Sequence, residues 1–238
     1  MRSKIVNWIK KEIKASGAKG IVLGLSGGID SSVVAALSKE AVGKNNVLGL
    51  FLPCHSQPQD LADAKLLAKN LGIQTKLLDL SNIFDSLTKI LPEASPMARA
   101  NLKPRLRMLA LYYFANKYNY LVAGTGNKSE LSVGYFTKHG DGATDILPIG
   151  CLLKRQVVAL AKELKIPEQI ITKPPTAGLW PGQTDEKEMG ITYLELDDIL
   201  DCMYKNRKQS ASKIKVSKVV KMHKLSEHKR QGPKICSI

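Results

Sequence analysis

The feature that most restricts the fold is a set of short apolar runs without polar alternation: IVLGL at 21–25, VLGLFL at 47–52 and YLVAG at 120–124. A strand with one wet face alternates apolar and polar side chains, so an unbroken run must be covered on both faces. A further strand of this set is predicted near Ile73 to Leu80. Helical spacing fills the gaps. Ile5, Ile9 and Ile13 predict an opening helix that stops at Gly17, and helices are predicted to about Val42 and over 59–71, 82–91 and 101–118. Further helices are predicted over 154–164 and 192–205, and a basic one over 212–226. Strands alternating with helices specify the α/β class, as a doubly wound parallel sheet between two helical layers. Two Pro/Gly-rich stretches, 134–150 and 172–184, are long enough to be functional loops over a site.

In an open parallel sheet, ligands bind beyond the carboxyl ends of the strands. GLSGGIDSS, residues 24–32, lies there, between the first strand and its helix. Gly27 and Gly28 let the backbone approach an anion, and the amides of Gly24, Leu25, Ser26, Ile29 and their neighbours can cradle phosphate at the positive end of the helix. Ser26, Ser31 and Ser32 add hydroxyls. The loop lacks the Gly-Lys-Ser/Thr of a Walker loop and does not fit the dinucleotide GxGxxG pattern. Asp30 is the informative residue. A carboxylate beside phosphates is repelled unless a cation lies between, which suits a Mg²⁺ ligand; as a plain helix cap it would carry no chemistry.

Net charge is +15, and from Lys205 to Lys234 eleven Lys/Arg face one acid, Glu227, so this segment holds about two-thirds of the excess. Such a field favours an anionic partner, either a phosphate-bearing small molecule or RNA, and a solvated basic tail is the plain alternative. No stretch reaches the ~18 apolar residues of a membrane span, and the N-terminus lacks a signal-peptide cleavage site. Cys54, Cys151, Cys202 and Cys236 stand singly, which argues against structural zinc and predicts reduced thiols in a cytoplasmic protein.

SGGIDSS resembles the signature of the ATP-pyrophosphatase families, which cleave ATP to AMP and pyrophosphate while adenylating a substrate oxygen. That likeness implies a Rossmann-like, adenine-nucleotide alpha-hydrolase-like fold. Three more stretches, and a short C-terminal one, resemble the NAD synthetase family. In NLKPRLRM (101–108), Arg105 matches a contact to deamido-NAD, a role that a planar, permanent cation suits; without the match it reads as a surface arginine. Pro104 departs from the family's alanine and is tolerable only in a first helical turn, which predicts a later helix start. In AGTGNKSELSVGYFTKHGDGATDILPIG (123–150), Thr125 matches an ATP contact, Glu130 a second Mg²⁺ ligand beside Asp30, and Lys138 and Asp145 deamido-NAD contacts. In 153–186, Lys154 and Thr176 match further ATP contacts. Lys154 opens a helix with apolar face Val157, Leu160, Ala161 and Leu164, so its side chain is predicted to point away from the core. The PPTAGLWPGQTDE stretch resembles a lid, in which Trp180 serves as anchor or as packing. EHKRQGP resembles the family's His-Lys-Arg motif, which places His228 and Lys229 at deamido-NAD.

The resemblance implies amidation of deamido-NAD by ammonia, with ATP as co-substrate, Mg²⁺ as cofactor, and AMP and pyrophosphate as products of an acyl-adenylate route. Asp30, Glu130 and Lys154 are the predicted catalytic set. A single synthetase domain filling 1–238, with a basic helical segment from about 205, leaves no room for a glutamine-hydrolysing domain, and the family pairs its subunits as homodimers. A tRNA-modifying enzyme of the same loop class is the alternative, disfavoured by the missing cysteine pairs and the scarcity of aromatics among the basic residues. A non-catalytic adenine-nucleotide-binding module is the other.

Overall fold

The computed structural model describes residues 1–180, 182–209 and 211–236. Pro181 of the predicted lid, and Ser210, Ser237 and Ile238 of the predicted basic segment, lie outside the described residues.

Helix α1 (Arg2–Ser16) ends where Gly17 turns left-handed at φ 67°, and strand β1 (Gly20–Gly24) follows. Helix α2 (Ile29–Val42), strand β2 (Val47–Phe51), helix α3 (Pro58–Leu71) and strand β3 (Gln74–Leu77) continue the alternation. Then come α4 (Ser81–Ile90), α5 (Pro96–Ala100), α6 (Leu102–Tyr118) and β4 (Tyr120–Val122). The sheet is parallel throughout, in the order β3-β2-β1-β4, with Ile21 paired to Val47 on one side and to Leu121 on the other.

The pleat divides the core as an unbroken apolar strand requires. Ile21, Leu23, Val47 and Phe51 pack with α1 and α2 on one face. Val22, Leu48, Leu50 and Val122 pack with Phe84 of α4 and with Phe114 and Ala115 of α6 on the other. The chain therefore has the doubly wound α/β architecture. β3 differs from its prediction, being four residues long with every side chain exposed. It is an edge strand, where Lys76 and other polar side chains discourage pairing with a second chain. The predicted shift at Pro104 is also overturned. α6 begins at Leu102, and Pro104 is its third residue, where the first-turn amide has no helical partner to lose. Ser95 caps the unpredicted α5 by accepting from Ala98 N at 3.3 Å.

Beyond β4, helices α7 (Lys128–Val133), α8 (Lys154–Glu163), α9 (Glu168–Ile171), α10 (Asp185–Met189), α11 (Tyr193–Tyr204), α12 (Lys213–Leu225) and α13 (Glu227–Arg230) complete the chain. Val133, Leu153, Met189, Tyr193, Leu196 and Val219 form a third apolar cluster, which packs α7, α10, α11 and α12 together at the carboxyl end of the sheet. Among the described residues no helix is long and apolar enough to cross a membrane.

Candidate active site

The loop between β1 and α2 is folded by its own hydroxyls. Ser31 Oγ and Ser32 Oγ donate to Gly28 O at 3.0 and 2.8 Å, and Gly28 N donates to Ser26 Oγ at 3.2 Å. Leu25 N donates to Leu50 O at 2.9 Å, holding the loop to the sheet. Gly27 has φ 77°, and a side chain there would strike the backbone carbonyl of Asp60 at the start of α3, so only glycine suits the position. The loop opens into a cavity of about 530 Å³ at the carboxyl ends of β1, β2 and β4.

Asp30 lies in the first turn of α2, where the helix dipole favours an anion. Its Oδ1 accepts from Asn127 Nδ2 at 2.9 Å and its Oδ2 from Lys154 Nζ at 2.5 Å. Asn127 also starts α7 through a reciprocal cap: Glu130 N donates to Asn127 Oδ1 at 3.0 Å, and Asn127 N to Glu130 Oε2 at 3.1 Å. That cap fixes the Glu130 carboxylate, whose Oε1 lies 3.4 Å from Lys154 Nζ and accepts from the Tyr193 hydroxyl at 3.2 Å. The Tyr193 hydroxyl also reaches Asp185 Oδ2 at 2.9 Å, and having one proton it donates to one carboxylate at a time.

Lys154 does not point away from the core as predicted. It is buried at the first position of α8, its apolar stem ending between the two carboxylates. An ammonium at a helix N-terminus opposes the dipole, and two acids answer it. Asp197, fully buried on α11, accepts from Arg155 N at 2.8 Å and from Ser129 Oγ, which in turn accepts from Lys154 N at 3.0 Å. The electrostatics agree. Burial weakens the Lys154 ammonium, but the charges of Asp30 and Glu130 outweigh it and hold its pKa above the ordinary value. Burial, with the Asp30 charge beside it, pushes Glu130 up to about 8 against the pull of Lys154. Burial also raises Asp185, against hydrogen bonding from Tyr193. Three carboxyls around one ammonium leave the site short of positive charge.

Of the sequence-predicted residues, Gly24, Leu25, Ser26, Gly28, Ile29, Asp30, Ser31, Thr125, Glu130, Lys154, Thr176 and Lys229 line this cavity. Gly27, Arg105, Lys138, Asp145 and His228 lie outside its lining. Arg105 Nη2 donates to Lys138 O at 3.3 Å, and Lys138 Nζ donates to His228 O at 2.5 Å, so these three form a chain beside the cavity. Asp145 accepts from Val122 N at 2.7 Å and from the Tyr112 hydroxyl at 3.1 Å.

Sequence reasoning missed Asn127, Asp185, Tyr193 and Lys173. The Asn127-x-x-Glu130 spacing is a readable capping signal. Lys173, at the base of the predicted lid, donates to Asp60 Oδ1 at 2.6 Å and to buried Asp63 Oδ2 at 2.8 Å, and only folding reveals those partners. Lys103 Nζ donates to Leu179 O at 2.8 Å, tying the same loop to α6. Trp180 is partly exposed.

Residues 1–233 match the family described as NAD synthase. Over 237 residues the chain is 48% identical to the NH(3)-dependent NAD(+) synthetase of Archaeoglobus fulgidus, covering 99% of this chain and 95% of that one. It superposes on the structure of NMN synthetase from Francisella tularensis with a TM-score of 0.92 at 40% identity, covering 100% of this chain and 97% of that one. The NH3-dependent NAD synthetase of Campylobacter jejuni gives 0.86 at 32% identity, with 99% and 97% covered. A glycine-rich loop, two carboxylates and a buried lysine around one cavity thus sit in a chain that belongs, over nearly its whole length, to the NAD synthase family.

Proposed function

We propose that this protein amidates deamido-NAD with ammonia, consuming ATP and releasing AMP and pyrophosphate. The observation that carries the reading is the convergence of Asp30, Glu130 and Lys154 beside the phosphate loop. A carboxylate is a poor electrophile toward ammonia. Attack of the pyridine carboxylate on the α-phosphorus of ATP, with departure of pyrophosphate, gives a mixed anhydride. Ammonia then adds to its carbonyl carbon and AMP leaves with the former carboxylate oxygen.

The protein aligns the reactants and neutralises phosphate charge. The loop amides and the start of α2 face the triphosphate, Lys154 supplies a fixed cation, and Thr125 and Thr176 line the nucleotide side. The donor set fits magnesium: Asp30 and Glu130 offer hard oxygens, and the raised Glu130 carboxyl marks a place where added positive charge is favourable. These two residues would hold the ion, which when bound would neutralise phosphate oxygens.

Arg105, Lys138, Asp145 and His228 are assigned to deamido-NAD together with Lys229. Four of them lie off the cavity, which suits an acid substrate entering at a subunit boundary. Leu109 and Tyr113 of α6 are exposed, giving an apolar face suited to a homodimer. Four unpaired cysteines suit the cytoplasm. The likeness to NH(3)-dependent relatives along almost their full length supports ammonia as nitrogen donor.

Amidation of the corresponding pyridine mononucleotide is a second reading, favoured by the likeness to the NMN synthetase structure. One assay separates the readings. With protein, ATP, Mg²⁺ and ammonium, and no tRNA, deamido-NAD yields NAD and equimolar AMP under the first, whereas preferential use of nicotinate mononucleotide supports the second. Release of ADP rejects both.

A further inference from the structure

The C-terminal motif contains a third basic residue, Arg230, that does not line the cavity. Its guanidinium joins two helix ends. One nitrogen, Nη1, donates to Leu131 O at 3.1 Å and Ser132 O at 3.2 Å in the last turn of α7, and to Ser226 Oγ at 2.8 Å. The other, Nη2, donates to His223 O at 2.5 Å near the end of α12. Unpaired carbonyls at helix C-termini carry partial negative charge, so a cation there satisfies both hydrogen bonding and the dipole. Only a planar fork of donors reaches both helices at once.

The surrounding contacts share the same seam. His223 Nδ1 is 2.7 Å from Ser132 O. Gly134, at φ 70°, packs so closely on Ser226 that a Cβ would collide with that side chain. Lys229 Nζ donates to Gly134 O at 2.8 Å and Phe136 O at 2.9 Å, and Lys138 reaches back to His228 O. The stretch tied down in this way begins one residue after Glu130, and its Tyr135, Phe136 and Thr137 line the cavity.

We infer that Arg230 is a positioning residue: by bridging the ends of α7 and α12 it sets the 134–141 loop, with Lys138 and Lys229, in the geometry that receives the acid substrate. The inference rests on the proposed amidation and names the device that orients the acid at the same site. Arg230 acts through its neighbours, so its loss affects the acid substrate while the nucleotide, held by the loop before α2, is bound as before.

The test uses full-length Arg230→Gln and Arg230→Lys. In steady-state assays both variants raise KM for deamido-NAD about tenfold or more and leave KM for ATP within about twofold. Ser226→Ala, which removes one of the four contacts, moves KM for the acid in the same direction by about two- to fivefold. A second readout needs no turnover: in Arg230→Gln the amides of 131–141 exchange with solvent about tenfold faster or more, while those of α2 keep their protection. Unchanged exchange, or a parallel rise of both KM values, overturns the inference. If Arg230→Gln does not fold, Ser226→Ala decides by the same two measurements. Should the wild type make no NAD, the proposed substrate fails, and the exchange result still judges Arg230.

Discussion

Lys154 Nζ donates to Asp30 Oδ2 at 2.5 Å, joining the first residue of α8 to the first turn of α2 across 124 positions of sequence. The ammonium is almost wholly buried and is the cation set between Asp30 and Glu130. A fixed charge that needs no reorganisation is what a transition state rich in phosphate charge requires. Lys154→Met is expected to lower kcat by about 10²–10³-fold, and Asp30→Asn and Glu130→Gln to lower turnover at least as far with the fold intact. Initial rates over a range of Mg²⁺ concentrations, with circular dichroism of each variant, check this; near wild-type rates in either carboxylate variant reject the metal assignment.

Glu130 gives the ligand-free protein a pH dependence of definite sign. Its carboxyl is raised to about 8 in the fold by burial and the Asp30 charge, against about 4.3 in an unfolded chain. Between those values the folded state keeps a proton that the unfolded state has lost, so stability falls as pH rises through the window. Glu130→Gln removes that slope. Urea denaturation from pH 5 to 9 without nucleotide or Mg²⁺ should show wild-type stability declining toward pH 8 and the variant declining less; equal slopes would refute the burial argument.

Asp63 carries the opposite sign. Burial alone would raise its carboxyl, but hydrogen bonds from Lys173, Gln169 and Gln59 outweigh it and hold the pKa below the ordinary value. The stability it supplies is present above the unfolded value of about 3.9 and is lost as pH falls below it. Asp63→Asn is expected to cost about 1.5–3 kcal/mol at pH 7 and to raise KM for ATP, because Lys173 anchors the base of the lid stretch and Asp60 abuts Gly27. Denaturant titration and ATP kinetics measure the two effects separately.

The sheet was legible because β1, β2 and β4 are short apolar runs between periodic helices, and Gly17 ends α1 as its position implied. β3 read as a buried strand because apolar residues flank it at Ile73 and Leu78, whereas its own four residues face solvent. In the site, Asp30 and its glycine loop are local in sequence and could be read directly. The direction of Lys154 could not, since the apolar face of α8 says where the helix packs but not that Asp30 and Glu130 draw its first side chain inward. Asp185 and Tyr193 reach Glu130 only because the third apolar cluster folds α10 and α11 over α7. That packing joins residues far apart in the chain and leaves no local spacing to detect.

The most direct test of the acyl-adenylate route follows an oxygen atom. Deamido-NAD carrying ¹⁸O at both oxygens of its pyridine carboxylate is incubated with ATP, Mg²⁺, ammonium and the protein, and AMP is analysed by mass spectrometry. Adenylation of the carboxylate places one ¹⁸O in AMP for each NAD formed. Unlabelled AMP, or label appearing in inorganic phosphate together with ADP, would contradict it.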